Sequence, residues 1–239
     1  MDFVNTVLPI VVIVLFVLVF AITIIYSILA ERRRSEALQQ LAAEMGFSYQ
    51  KNPTSGTEAI QFETNYDLFQ RGRSRRFSNM LQGRREDFEM KAFDYSYVTG
   101  GGRHSTTHHQ SVVMMLLEHS ELATFSLRPE SLFDKLASKF GKVDINFENR
   151  PEFSKKYHLS GEDEIAVQRL FSNSVIDFCE NQRNLHLEAT ADRLVMYYPG
   201  WRAKPEEFRA FMDNAVKILV LLRRPTAAGW GELYDFGKT

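Results

Sequence analysis

The sequence predicts an α+β fold, with an N-terminal transmembrane helix followed by a cytosolic antiparallel sheet covered by helices. Three observations predict it. No charged residue lies between Asp2 and Glu31, the strand-like segments come in runs separated by short turns, and the helical patterns follow those runs instead of alternating with single strands.

The apolar rod comes first. Residues 7–25 are all Val, Leu, Ile, Phe or Ala except Pro9 and Thr23, and at about 1.5 Å per residue they cover a hydrocarbon core of about 30 Å. Residues 1–30 are expected to form a membrane anchor. Pro9 falls in the first turn, where its missing N–H has no intrahelical partner to lose, and Asn5 or Thr6 can cap. A cleaved signal peptide would need a basic leading segment, a shorter apolar run and small residues at the cut; none is present. Arg32, Arg33 and Arg34 follow the rod at once, and positive flanks stay in the cytoplasm. The expectation is a single-pass protein with its N-terminus outside and a cytoplasmic C-terminal domain.

Residues 31–46 read as a juxtamembrane helix continuing the span, with Ala37, Leu38, Leu41, Ala42 and Met45 on one stripe and Gly46 as its C-terminal cap. Residues 47–225 form the α+β domain, and residues 226–239 a loose tail. A short strand at 47–50 leads to a loop at 52–57. Strands at 75–81 and 87–98 are expected to form a hairpin with Gly83 at the turn. Residues 99–109 read as a flexible polar loop, and the run Val112-Val113-Met114-Met115-Leu116-Leu117 as a central strand buried on both faces. A strand at 122–127 follows.

Pro129 is then placed at the start of a helix running to Phe140 and closed by Gly141, and residues 144–161 are read as mostly irregular. One longer helix is expected from Glu162, with Val167, Leu170, Phe171, Val175, Phe178 and Cys179 on its stripe. A second hairpin brackets Ala191-Asp192, and Pro205 opens a final helix with Phe208, Phe211, Met212, Ala215, Leu219 and Leu222 facing inward.

Composition bounds the function. The 239 residues carry a net charge of −1, and the excess of one arginine in residues 1–34 leaves −2 for the rest. A domain that close to neutral is not built as a nucleic-acid binder. Cys179, the single cysteine, rules out an internal disulfide and a cysteine-based zinc site, in keeping with a reducing compartment. No cofactor motif is present.

Four groups of residues could carry chemistry. His104, His108 and His109 cluster near Gly100-Gly101-Gly102 and are the only candidate metal ligands, yet no H-E-x-x-H spacing or carboxylate accompanies them. The glycines lack the lysine and the following helix of a phosphate-binding loop. Arg71, Arg73, Arg75, Arg76, Arg84 and Arg85 lie in a stretch without acids. With Arg32, Arg33 and Arg34 they are candidates for contact with anionic lipid head groups. Cys179 falls on an apolar stripe, where it reads as core, while Trp201, Trp230, Tyr234 and Phe236 could anchor an unidentified protein partner.

The strings Leu41-Ala42-Ala43-Glu44-Met45-Gly46-Phe47, Phe93-Asp94-Tyr95-Ser96-Tyr97, Leu127-Arg128-Pro129-Glu130 and 151–159 (PEFSKKYHL) resemble those of a family of uncharacterised bacterial single-pass inner-membrane proteins. The resemblance implies an inner-membrane location and assigns no activity and no site residues. The function expected is a membrane-tethered binding or scaffolding domain. A hydrolase-like enzyme, metal-dependent through the His104/His108/His109 loop, and an anionic-lipid-contacting module are the alternatives.

Overall fold

The computed structural model describes residues 2–53, 66–85, 87–118, 122–130 and 144–223, with side chains from Ile10 onward. Helix α1 (Asp2–Glu44) runs unbroken from the apolar rod into the domain. Residues 10–29 leave their large side chains exposed, and the helix is long and apolar enough there to cross a membrane. From Ser35 onward its character changes, because Leu38 and Ala42 are buried against the sheet. Gly46 ends it at φ +68, a left-handed conformation that suits glycine.

The eight strands are β1 (Ser48–Gln50), β2 (Arg73–Arg85), β3 (Phe88–Thr99), β4 (Thr106–Leu117), β5 (Phe125–Pro129), β6 (Tyr157–Gly161), β7 (His186–Thr190) and β8 (Arg193–Tyr197). They form one antiparallel sheet in the order β1-β2-β3-β4-β8-β7-β5-β6. Short helix α2 (Asp67–Gln70) precedes β2. Helices α3 (Pro151–Lys156), α4 (Glu164–Leu170), α5 (Asn173–Glu180) and α6 (Pro205–Arg223) complete the described elements. The α+β expectation therefore holds.

The helices and the sheet enclose the main core. Alternation along the strands sends Met90, Ala92, Val113, Met115, Leu187, Ala189, Leu194 and Met196 into it, where they meet Leu38 of α1, Val175 and Phe178 of α5, and Phe208, Phe211 and Leu219 of α6. The second face of the sheet is buried too. Over β2, β3 and β4 it carries aromatic groups, with Phe69, Phe77, Phe93 and Tyr95 in mutual ring contact. Over β5, β6 and β7 it carries Ser126, Arg128, His158, Ser160, His186 and Glu188, all buried.

Several expectations are corrected. Gly83 is no turn residue; it lies inside β2 opposite Met90, and a Cβ there would sit 2.1 Å from the Phe47 ring, so glycine is needed for that ring to pack. The β2–β3 ladder instead runs on to the pair Arg85 and Phe88. Pro129 ends β5, paired with Tyr157, because a strand end tolerates a missing N–H as well as a helix start does. The rest of the helix expected there, the loop from Thr54 and the tail from Thr226 lie outside the described residues. Residues 151–161 are ordered as α3 and β6, not irregular. The long helix from Glu162 is two: the chain leaves helical geometry at Phe171 and Ser172, letting Phe171 turn its ring edge onto Phe125 at 5.0 Å.

Candidate functional site

The anchor is fastened to the sheet by a buried ionic network. Arg34 forks onto Asp94 of β3, its Nε donating at 2.8 Å and its Nη2 at 2.7 Å, while its Nη1 donates to the Ala203 carbonyl at 2.6 Å. Asp94 also accepts from Asn79 at 3.0 Å, Ser111 at 2.9 Å and Arg202 at 3.0 Å. Arg202 in turn grips Glu31 with two bonds of 2.5 and 2.9 Å. Burial pushes the Asp94 carboxyl up, but Arg34 and Arg202 overcome that and hold it below its usual range. The network joins α1, β2, β3, β4 and the loop before α6 at one point.

Arg34 thus has its guanidinium engaged inside the domain, by Asp94 and the Ala203 carbonyl. The other arginines separate into two groups at opposite ends of β2. Arg84 pairs with Glu118 and Arg85 lies over the Phe47 ring, so their charges are engaged within the domain. Arg73, Arg75 and Arg76 are exposed at the other end, without an acidic partner among the described residues. Arg71 is half-buried beneath the second face, beside Tyr97 and Tyr197.

The three histidines do not converge. The loop is shorter than expected, covering residues 100–105, and both His108 and His109 belong to β4. Adjacent strand residues point to opposite faces. His108 stacks on Tyr97 at 4.8 Å and bonds Thr99 Oγ1 at 2.8 Å, whereas His104 is exposed at the end of a 3-10 turn, Gly102–His104. Among the described residues no group of three His, Cys, Asp or Glu could hold a metal ion. Cys179 is buried, and burial pushes its thiol far up, away from thiolate chemistry.

On the second face, Glu188 is held from two sides: His186 Nε2 lies 2.8 Å from Oε1, and the Asp67 backbone N–H donates to Oε2 at 3.0 Å. A carboxylate at Nε2 places the ring proton there. Together with the 3.1 Å contact between the Tyr66 and Thr190 hydroxyls, this pins α2 across the sheet. His186 Nδ1, Ser126 Oγ, Ser160 Oγ and the Tyr197 hydroxyl are buried and bond to nothing among the described residues.

One open cleft of about 450 Å³ lies between the α5–β7 turn and α6. Its floor is Tyr198, Trp201 and Phe211, whose ring centroids are 5.3 to 5.9 Å apart, and its rim holds Gln182, Asn184 and Asn214. Tyr198 donates its hydroxyl to Gln182 at 2.7 Å, and burial pushes that hydroxyl up to about 12. Trp201, singled out in the sequence as an anchor, stands here. Its carbonyl accepts from the Ser111 backbone N–H at 3.0 Å, which puts the cleft next to the Asp94 network.

Sequence reasoning missed Asp94, Arg202, Glu188 and His186. The available signal was the placing of charge: Asp94 interrupts an aromatic strand, and His186 and Glu188 alternate with Leu185, Leu187 and Ala189 along the first arm of the second hairpin.

No family model matches the chain, and no curated protein sequence does. In fold it is similar to the crystal structure of the mycobacterial trehalose monomycolate transport factor A, TtfA. The TM-score is 0.54 at 12% sequence identity, over 82% of this chain and 99% of that one. The likeness is one of architecture.

Proposed function

We propose that this chain is a membrane-tethered binding domain of a bacterial inner membrane, with its N-terminus outside and its sheet domain in the cytoplasm, where it holds a protein partner in a fixed pose beside the bilayer. The observation that carries this reading is the unbroken α1. A tether meant only to localise would end in a linker; here the span runs on into the core and is clamped through Arg34, Asp94, Arg202 and Glu31. The basic residues after the span support the orientation. The similar solved fold belongs to a protein named for transport and not for a chemical conversion, which favours binding over catalysis. The hydrolase reading loses its site, because His108 and His109 stand on opposite faces of β4.

The cleft floored by Trp201 is the surface best suited to a partner's side chain, since it combines aromatic area with amide groups. The test is site-specific photo-crosslinking in intact cells from Asn184 and Asn214, combined with a reporter after Thr239. A cytoplasmic reporter signal and one discrete adduct, lost when Ala210→Arg fills the cleft, is the expected result. An exterior reporter overturns the topology; absence of any adduct from both positions overturns the binding role of the cleft.

A further inference from the structure

The sheet is not flush at the end where α1 leaves it. β8 stops pairing with β4 at Val112 and Tyr197, yet β4 and β3 continue together to Thr106 and Thr99, and β2 accompanies them to Arg73. At about 3.3 Å per residue this three-stranded ribbon projects by roughly 20 Å beyond the rest of the sheet.

Its direction is fixed by α1. Ser35 bonds to Asn79, and after α1 ends the Phe47 ring lies against Gly83, so helix and β2 run side by side in the same sense. Followed backwards from Arg34, α1 enters its apolar span within about 7 Å, while β2, followed backwards from Ser78, reaches Arg73 after about 17 Å. The ribbon is therefore long enough to reach the level at which the span becomes apolar.

That tip is basic. Arg73, Arg75, Arg76 and Arg103 are exposed, and among the described residues none has an acidic partner; from Tyr95 to Leu117 the sequence has no acidic residue at all. Arg73 donates to the Gly100 carbonyl and Arg75 Nη2 to the Gln70 carbonyl at 2.6 Å, which hold these side chains at the tip. Between them Ser74 adopts φ +52 in a bulge of the β2–β3 ladder, a strained conformation of the sort kept at functional positions. Gly100 closes the turn at φ +74, where a Cβ would sit 2.2 Å from the His104 carbonyl oxygen. Exposed Arg32 and Arg33 lie at the foot of the span.

We propose that the β2–β3–β4 ribbon tip, through Arg73, Arg75, Arg76 and Arg103, is a second foot of the protein on the bilayer that binds the phosphate groups of anionic lipids. The proposal rests on α1 being a membrane span. Guanidinium groups fork onto phosphate oxygens, and a tip carried by a clamped helix meets the headgroup layer at little entropic cost. Of the nine arginines read from the sequence it keeps three at the sheet end, Arg73, Arg75 and Arg76, and adds Arg103 of the hairpin.

The experiment uses the full chain in nanodiscs containing headgroup-spin-labelled phosphatidylcholine. A fluorophore is placed on His104→Cys, Cys179 being buried and unlabelled, and a control on Arg84→Cys at the far end of β2. With about 30% phosphatidylglycerol, quenching at position 104 is expected to exceed that in pure phosphatidylcholine by about twofold, and to fall to that level in about 0.5 M salt. Arg73→Gln/Arg75→Gln/Arg76→Gln, all exposed positions, should abolish the excess with unchanged thermal melting. Position 84 should stay unquenched. Equal quenching at 104 and 84, or quenching indifferent to phosphatidylglycerol in a chain that has entered the disc, overturns the foot; failure to enter the disc overturns the span beneath it.

Discussion

The two faces of the sheet each bury a carboxylate, and they treat it differently. Asp94 on the helix side accepts five hydrogen bonds from four residues, two of them arginines, and both oxygens are used. Glu188 on the second face is held by a histidine and one backbone N–H, among buried hydroxyls and a ring nitrogen that bond to nothing among the described residues. Those groups are reached by water or cost about 1–3 kcal/mol each. The helix side is a lock between anchor and domain, and the second face is the softer half of the molecule.

The largest effect should come from the lock. Asp94→Ala leaves the nearly buried Arg34 guanidinium without a carboxylate, while Arg202 keeps Glu31, and removal of one member of such a buried pair costs about 3–5 kcal/mol. Urea unfolding of the detergent-solubilised chain measures it. A double-mutant cycle with Arg34→Met should recover part of the loss, because the uncompensated guanidinium is then gone. Additive losses would mean that the two residues do not act as a unit.

Glu188→Gln probes the softer face at nearly constant volume. The His186 contact and the Asp67 N–H lose a charged acceptor, with an expected loss of about 1–3 kcal/mol. Hydrogen exchange at the α2 amides should rise with it, since this carboxylate pins α2. A loss larger than that of Asp94→Ala would reverse the ranking of the two faces.

The same contrast explains what could be read from the sequence. Elements made by periodicity were legible: the span, the buried run at 112–117, the β7–β8 hairpin and α6, whose bounds match Pro205–Arg223. Elements set by one tertiary contact were not. Gly83 looks like a turn until Phe47 is seen packed on it, and Phe171 breaks a helix for the sake of Phe125. Functional residues fared the same way. The arginines were visible as a cluster, but only the register of β2 separates Arg84 and Arg85 from Arg73, Arg75 and Arg76, and only α1 carried past Asn79 shows that Arg34 is bonded to Asp94. Arg103 lay hidden in a glycine loop that gave no hint of its neighbours.

Acid should separate the two faces in sequence. Burial pushes His186 below its usual range, against the pull of Glu188, and Arg71 and Arg128 nearby push the same way as burial; His158 on the same face is also lowered by burial, against Asp144 at 3.0 Å. A histidine that resists protonation when folded contributes stability fully above its unfolded value of about 6.5, and loses it as pH falls toward the folded value, because the unfolded chain takes up the proton first. On the helix side the sign is that of a depressed carboxylate. Arg202 holds Glu31 down through its hydrogen bonds, and Arg34 and Arg202 hold Asp94 down against burial, so their contribution is intact above about pH 4 and fades only as pH falls through the folded values. Between about pH 7 and pH 5 the second face alone should weaken. Hydrogen exchange at α2 and β7 should therefore rise in that range while the amides of Arg34 and Ser35 hold, and His186→Gln should flatten the change. Parallel loosening of both faces from pH 7 downward would show that they open as one unit, and the distinction between lock and soft face would fall.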